Sequence, residues 1–535
     1  MASESPSGAA SYTREQLVAR RAARARSRRA GRRRLAILVF GLVVVVAVAV
    51  SRLDGADEVA PAPLEQPNLI VVMTDDQVKS SFTPEVMPKT VGFFADGGTK
   101  FSSALSVPPL CCPARAGFLT GQYPHNHGVL GNTPGYPDLR HPKQTLPVAL
   151  GAAGYRTALI GKYLNNYELV GGAKPAPGFD RWFATLGYAG YYDYAVSDDG
   201  VQGAYGHDPH DYSTHVYFQQ AMKFTHDAAA GEDPFFLWLT PNAPHTIEPG
   251  EGSCSGRDAQ PPDEAAYQAF ADAPVPMPAS YDETDVADKP RWATSRDQLS
   301  AAQQEEIATS YRCALAALRS VDDGFGDLIG QLERDGQLEN TIIVFVSDNG
   351  LLYGEHRIFD DKRLPLEPAL GIPMAIRLPP GLAGNAPADT AALVSTVDLA
   401  PTLLDYAGAE PCTTGGTCWT EDGRSMRPLL DGTLFAWPDD RAVPIELDDD
   451  YTYSALRSPR YLYSEMTADR DGKLPEPAIE LYDLEADPDE LENLAAPSDS
   501  ATVAVRDALA ARLADLRQCS GISGRDDPGS QPYCE

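Results

Sequence analysis

Two acidic clusters sit where apolar runs end. Residues 68–74, NLIVVMT, run into Asp75-Asp76, and residues 341–347, TIIVFVS, run into Asp348-Asn349-Gly350. A continuous apolar run of this kind reads as a parallel strand buried on both faces, and side chains at the carboxyl ends of such strands line the ligand crevice of α/β proteins. Four oxygen donors (Asp75, Asp76, Asp348 and Asn349) without a Cys/His cluster beside them suit a hard cation, Ca²⁺ or Mg²⁺, rather than zinc. A third run, residues 235–240, FFLWLT, leads into PNAPH and carries His245 just past a strand end. The cysteines add a second signal. Cys412/Cys418 and Cys519/Cys534 are spaced to staple local loops, and Cys254/Cys313 makes a third pairing. Cys111-Cys112 is left over, and sequence neighbours rarely bridge each other because the geometry is strained. That pair needs another role.

The segment around it is PLCCPARAGFLTG, residues 109–121, followed by QYPHNHGVLGN. It resembles the hallmark of the sulfatase family, C-x-P-x-R and then a short apolar run and T-G, with Cys111, Pro113 and Arg115 in the fixed places. Residues 154–164, GYRTALIGKYL, are similar to the family's second signature, and their K-Y-L-N continuation resembles the N-acetylglucosamine-6-sulfatase branch. Asp361-Lys362-Arg363, then Glu367 and residues 371–377, GIPMAIR, follow the family's D-K-R…E…P pattern, and residues 480–495, ELYDLEADPDELENLA, resemble its C-terminal signature. The resemblance runs from about residue 67 to 520 and is patchy through the acidic insertions.

The resemblance implies hydrolysis of sulfate esters by a formylglycine nucleophile, the aldehyde that a formylglycine-generating enzyme makes from Cys111. Its hydrate offers two hydroxyls on one carbon, one to attack sulfur and one whose deprotonation later expels sulfate. The implied roles are assigned by position. Asp75, Asp76, Asp348 and Asn349, with residue 111, hold one divalent cation, Ca²⁺ first and Mg²⁺ as the alternative. Lys162 and Lys362 grip the sulfate, Arg115 steadies the nucleophile and the ion's surroundings, and His245 protonates the leaving oxygen. Many sulfatases carry a histidine two places after the first lysine, where this chain has Leu164; His125 and His127 are the candidates to replace it. The substrate is a carbohydrate or aryl sulfate, with N-acetylglucosamine 6-sulfate suggested by the branch. Two other readings stand beside this one. A phosphatase or phosphodiesterase of the same superfamily would normally use Ser or Thr and two zinc ions. A non-catalytic surface-binding relative should have lost one of these residues.

The elements that must position these groups alternate strand and helix, which predicts an α/β sandwich: a large, mainly parallel sheet flanked by helices, alkaline-phosphatase-like by resemblance. Residues 300–332 show helical spacing at Ile307, Tyr311, Leu315, Leu318 and Ile329. Residues 203–212 and 258–289 read as polar insertions over a rim. After about residue 405 short strand candidates at 443–447, 461–464 and 479–484 and a helix at 501–516 predict a smaller α+β domain. The expected division is an Arg-rich cytoplasmic tail at 1–34, a signal anchor or cleaved signal peptide at 35–50, a linker at 51–67, a catalytic domain at 68–405 and a C-terminal subdomain at 406–535. Basic residues before an apolar stretch keep the N-terminus inside and send the downstream chain across the membrane, to be anchored on its outer face or secreted. Eleven arginines against Glu4 and Glu15 precede residue 53, a net of about +9, so with the whole chain at −31 the exported body sits near −40. Such a body repels nucleic acid, and any anion site in it must be made positive locally.

Overall fold

The computed structural model describes residues 66–519 and 534–535, apart from 188–189, 248–251, 257, 433–436 and 497–498. The Arg-rich tail, the apolar segment 35–50 and nearly all of the linker lie outside the described residues. Among the described residues no helix is long and apolar enough to cross a membrane.

Sixteen strands are present among the described residues. In chain order they are β1 (Asn68–Thr74), β2 (Thr99–Leu105), β3 (Arg156–Gly161), β4 (Arg181–Leu186), β5 (Ala195–Asp198), β6 (Val201–Ala204), β7 (Phe235–Thr240) and β8 (Thr341–Ser347). Next come β9 (Leu352–Tyr353), β10 (Phe359–Asp361), β11 (Met374–Arg377), β12 (Asp389–Ser395), β13 (Val443–Asp448), β14 (Thr452–Arg457), β15 (Tyr461–Asp469) and β16 (Gly472–Asp483). Ten of them form one sheet in the order β12-β2-β11-β8-β1-β7-β3-β4-β5-β6. Its centre, β8-β1-β7-β3-β4, is parallel throughout, whereas β11 runs antiparallel to both its neighbours and β5 and β6 add an antiparallel edge.

The apolar runs are continuous because both faces of the centre are covered. Leu69, Val71 and Met73 face one core with Phe236 and Trp238, under the helices Cys111–Thr120, Leu146–Ala152 and Leu399–Ala407. Ile70 and Val72 face the other with Leu237, Leu239, Ile343 and Phe345, under Pro88–Ala95, Ser213–Ala229 and Ala301–Arg334. Each such side chain contributes roughly 1.5–3 kcal/mol by leaving water. The last helix begins at a capping box, in which Ser300 and Gln303 satisfy each other's backbone N–H.

The strands β13-β14-β15-β16 form an antiparallel sheet. Val443, Ile445 and Leu447 face the body of the molecule beside Leu364 and Leu370, while Leu456, Tyr463 and Leu481 face Leu513 and Leu516 of the terminal helix Ser500–Leu516. The fold is therefore the expected sandwich with a smaller sheet-and-helix unit at its C-terminal end. Cys254–Cys313, Cys412–Cys418 and Cys519–Cys534 are disulfides, and Cys111 and Cys112 are free and buried.

Candidate active site

Four neighbouring parallel strands, β8, β1, β7 and β3, end on the same edge of the sheet, and each delivers a polar group there. The β1–β8 register pairs Thr74 with Ser347, so Asp75-Asp76 and Asp348-Asn349 emerge side by side. Asp76 takes a left-handed backbone (φ 66°), which Asp tolerates better than most residues. The turn brings both consecutive carboxylates to one site, where a continuing strand would have sent them to opposite faces. The loop after β7 brings His245, and β3 ends at Gly161 before Lys162. Only glycine fits at 161, because a Cβ there would lie 2.1 Å from the Thr240 carbonyl oxygen.

Cys111 enters from the side as the first residue of the helix Cys111–Thr120. Its Sγ lies 3.5 Å from Asp75 Oδ1 and 3.0 Å from Lys362 Nζ. Ligand atoms of Asp75, Asp76, Cys111 and His245 all fall within 4.8 Å of one another. Lys162 Nζ donates to Asp75 and Lys362 Nζ to Asp76. Arg115, fully buried, donates from Nε to Asp348 Oδ2 at 2.7 Å and from Nη1 to the Lys162 carbonyl at 3.0 Å, with Nη2 3.5 Å from Asp75. His245 Nε2 lies 3.7 Å from Asp76 Oδ2. Cys111, Arg115, Lys162, His245 and Lys362 thus stand in one cluster with Asp75, Asp76, Asp348 and Asn349, where three carboxylates face three side-chain cations.

Burial and charge compete in this cluster. Burial alone would raise Asp75, but Lys162, His245 and Arg115 outweigh it and hold the carboxyl far below the usual range. Asp348 goes the other way, raised by burial and by the charge of Asp75. Burial pushes the Cys111 thiol up to about 12, so the unmodified side chain holds its proton at neutral pH and is a poor nucleophile. Burial lowers His245 despite the nearby Asp76 and Asp75.

The donor set fits a hard cation on two counts. It is built of carboxylate and amide oxygens, and Asn349 Oδ1 is buried without a hydrogen-bond partner among the described residues. Asn349 donates from Nδ2 to Asp76 Oδ1 at 2.6 Å and to the Gly350 carbonyl, so its remaining oxygen is the free acceptor of the site.

His125 and His127 are held elsewhere. His125 Nδ1 lies 2.6 Å from Glu446 Oε2 and Nε2 lies 2.7 Å from the Cys519 carbonyl, which ties the segment to the C-terminal sheet. His127 is buried and its Nδ1 accepts from the Val129 N–H. Neither touches Cys111 among the described residues. Two supports escaped sequence reasoning. Asn132 Oδ1 accepts from the Cys112 N–H at 2.9 Å, at the start of the cysteine helix. Asp449, in the β13–β14 turn, accepts from the Asn132 N–H at 2.9 Å and from Arg363 Nε at 3.2 Å. No local pattern marks such residues, since their partners are remote in sequence.

Beside the cluster lies a cleft of 410 Å³ whose lining joins Cys111, Lys162 and His245 to Asn165, Glu168 and Thr185. Beneath it Tyr163, Tyr167 and Trp182 pack with ring centroids 5.0–5.2 Å apart, fixing the segment just after Lys162.

A large, mostly parallel sheet with a buried cysteine, lysines and acidic oxygen donors at one strand edge defines a hydrolase of the alkaline-phosphatase-like class. Residues 67–409 match the family model for sulfatases. The chain is 30% identical over 517 residues to N-acetylglucosamine-6-sulfatase of Homo sapiens, covering 88% of each. It is 30% identical to an arylsulfatase of Chlamydomonas reinhardtii, over 91% of this chain and 79% of that one. Among solved structures, BT4656 in complex with its substrate D-glucosamine-2-N,6-O-disulfate superposes with a TM-score of 0.66 at 24% identity, covering 84% of this chain and 97% of that one. A phosphonate monoester hydrolase from Silicibacter pomeroyi gives 0.65 at 22% identity over 84% and 95%. The chain belongs to the sulfatase family and is a sulfuric ester hydrolase.

Proposed function

We propose that this enzyme hydrolyses the sulfate ester of an amino sugar, N-acetylglucosamine 6-sulfate or a close relative, with residue 111 converted to formylglycine and one Ca²⁺ held by Asp75, Asp76, Asp348 and Asn349; Mg²⁺ is the alternative ion. The observation that carries this reading is the convergence of Lys362, Asp75 and His245 on the Cys111 side chain beside the cleft. The resemblance to N-acetylglucosamine-6-sulfatase over most of both chains supports the choice of sugar.

A divalent cation bound among these oxygens would add positive charge where sulfate must sit and lower the pKa of a hydroxyl at 111. The aldehyde hydrate supplies one hydroxyl to displace the alcohol and a second to release sulfate. The rest is the work of ordinary side chains. Lys162 and Lys362 neutralise and orient the sulfate oxygens. Arg115, locked between Asp348 and Asp75, holds those carboxylates in place. His245 stands at the cleft side of the cluster and hands a proton to the departing alcohol oxygen. With three carboxylates already matched by three side-chain cations, the ion's charge leaves the pocket positive inside an acidic body.

The Arg-rich tail and apolar segment support export of the body, and the three disulfides fit an oxidising compartment. The test is sulfate release from N-acetylglucosamine 6-sulfate and 4-nitrophenyl sulfate, set against 4-nitrophenyl phosphate and a phenylphosphonate ester, before and after chelation. Sulfate esters should be strongly preferred and chelation should abolish turnover. Preference for the phosphonate ester would transfer the assignment to the class of the Silicibacter pomeroyi neighbour.

A further inference from the structure

Beyond the cluster itself, the cleft lining has a charge pattern of its own. The cluster's lysines are committed: Lys162 is bound to Asp75 and Lys362 to Asp76. Apart from Lys162 the cleft lining carries no Arg and no Lys among the described residues. Glu168 lines the cleft as well, and its carboxylate has no hydrogen-bond or ion-pair partner among the described residues. Asn165 lines it too, and its Oδ1 is buried without a hydrogen-bond partner among the described residues. Both groups are acceptors: Glu168 is half-buried, and Asn165 Oδ1 is a buried acceptor that is costly to leave without a donor. Both sit on the segment after Lys162 that the aromatic packing of Tyr163 and Tyr167 against Trp182 holds still, so they are placed rather than loose.

A wall of acceptors favours a leaving group rich in donors, such as hydroxyls, an acetamide N–H or an ammonium. It opposes a second anion, because an unpaired carboxylate in a partly enclosed cleft repels like charge more strongly than one in open water. Resting on the sulfatase reading above, we propose that Glu168, with Asn165, is a specificity-determining residue that restricts this enzyme to singly sulfated amino sugars, N-acetylated or with a free amine, and rejects those carrying an additional N-sulfate.

The experiment uses the full chain, shown by mass spectrometry to carry formylglycine at 111. It measures kcat and KM on N-acetylglucosamine 6-sulfate, glucosamine 6-sulfate and N-sulfoglucosamine 6-sulfate, with 4-nitrophenyl sulfate as the non-sugar reference. The wild type should favour the two monosulfated sugars over the disulfated one by about tenfold or more in kcat/KM, the scale of one partly screened like-charge contact. The difference should lie mainly in KM and should shrink as salt is added. Glu168→Gln should narrow the ratio several-fold, and Glu168→Lys should reverse it. Equal use of the disulfated sugar, or a ratio that Glu168→Gln leaves unchanged, overturns the proposal. Turnover of 4-nitrophenyl sulfate with none of the three sugars also overturns it while leaving the sulfatase reading intact. Failure on every sulfate ester by formylglycine-bearing protein overturns both.

Discussion

On the proposed function, Cys111 is the residue on which the chemistry turns. Its thiol is buried, raised to about 12 and held by Lys362, so as an unmodified side chain it has little to offer as a nucleophile. Cys111→Ala should lower kcat on 4-nitrophenyl sulfate by roughly 10⁴-fold or more, as loss of a covalent nucleophile does elsewhere. The melting temperature should stay within a few degrees, since only a sulfur atom leaves the core. His127 makes a different point. Burial and the neighbouring His125 and Arg140 push it down to about 3, and its Nδ1 already accepts the Val129 N–H, so protonation in the fold would break a hydrogen bond. The unfolded chain takes up that proton near pH 6.5. The unfolded state therefore binds more protons as pH falls through 6.5 towards 3, and stability drops across that window. Between pH 7 and pH 5 His127 alone should cost about 2 kcal/mol. Denaturant titrations should show a shallower loss for His127→Gln over the same range; parallel slopes would refute the assignment.

At the scale of elements, the site depends on a turn far away in sequence. Asp449 holds both Asn132, whose side chain takes the Cys112 N–H, and Arg363, the residue after Lys362. One carboxylate thus couples the small sheet to the helix that Cys111 begins and to the segment that carries Lys362. Asp449→Ala should reduce kcat by about 10- to 100-fold through misplacement of reacting groups while KM changes little. A loss confined to KM would show that the turn shapes binding instead. Much of this scale was legible in the sequence. β1, β7 and β8 begin and end where their apolar runs do, because burial on both faces leaves no polar interruption. The helix Ala301–Arg334 is visible from its spacing and begins one residue after Ser300, its cap. By contrast β2 (TKFSSAL) and β14 (TYSALR) carry small and polar residues and become strands through pairing with their neighbours, which local pattern does not reveal. Likewise β15 and β16 run longer than the segments expected, since their hairpin continues past the buried residues into solvent. The site residues were readable because the motifs name them. Asn132, Asp449 and the true setting of His125 were not, because contacts across more than three hundred positions decide them.

At the scale of the whole molecule, a body more acidic than the chain's net formal charge of −31 must admit an anionic substrate. Long-range repulsion weakens as the screening length shortens from about 30 Å at 10 mM salt to about 8 Å at 150 mM. On this account kcat/KM for 4-nitrophenyl sulfate should rise several-fold over that range, and a fall would mean that the positive pocket steers substrate from a distance. The balance of an acidic shell around a small positive hollow has meaning only if residue 111 is an aldehyde beside a hard cation. The most direct test is the mass of the peptide containing residue 111, taken from fully active enzyme. Exchange of H₂S for one oxygen, in a fraction that tracks specific activity across preparations, is the expected result. Full activity with an unaltered thiol at that position would contradict the account.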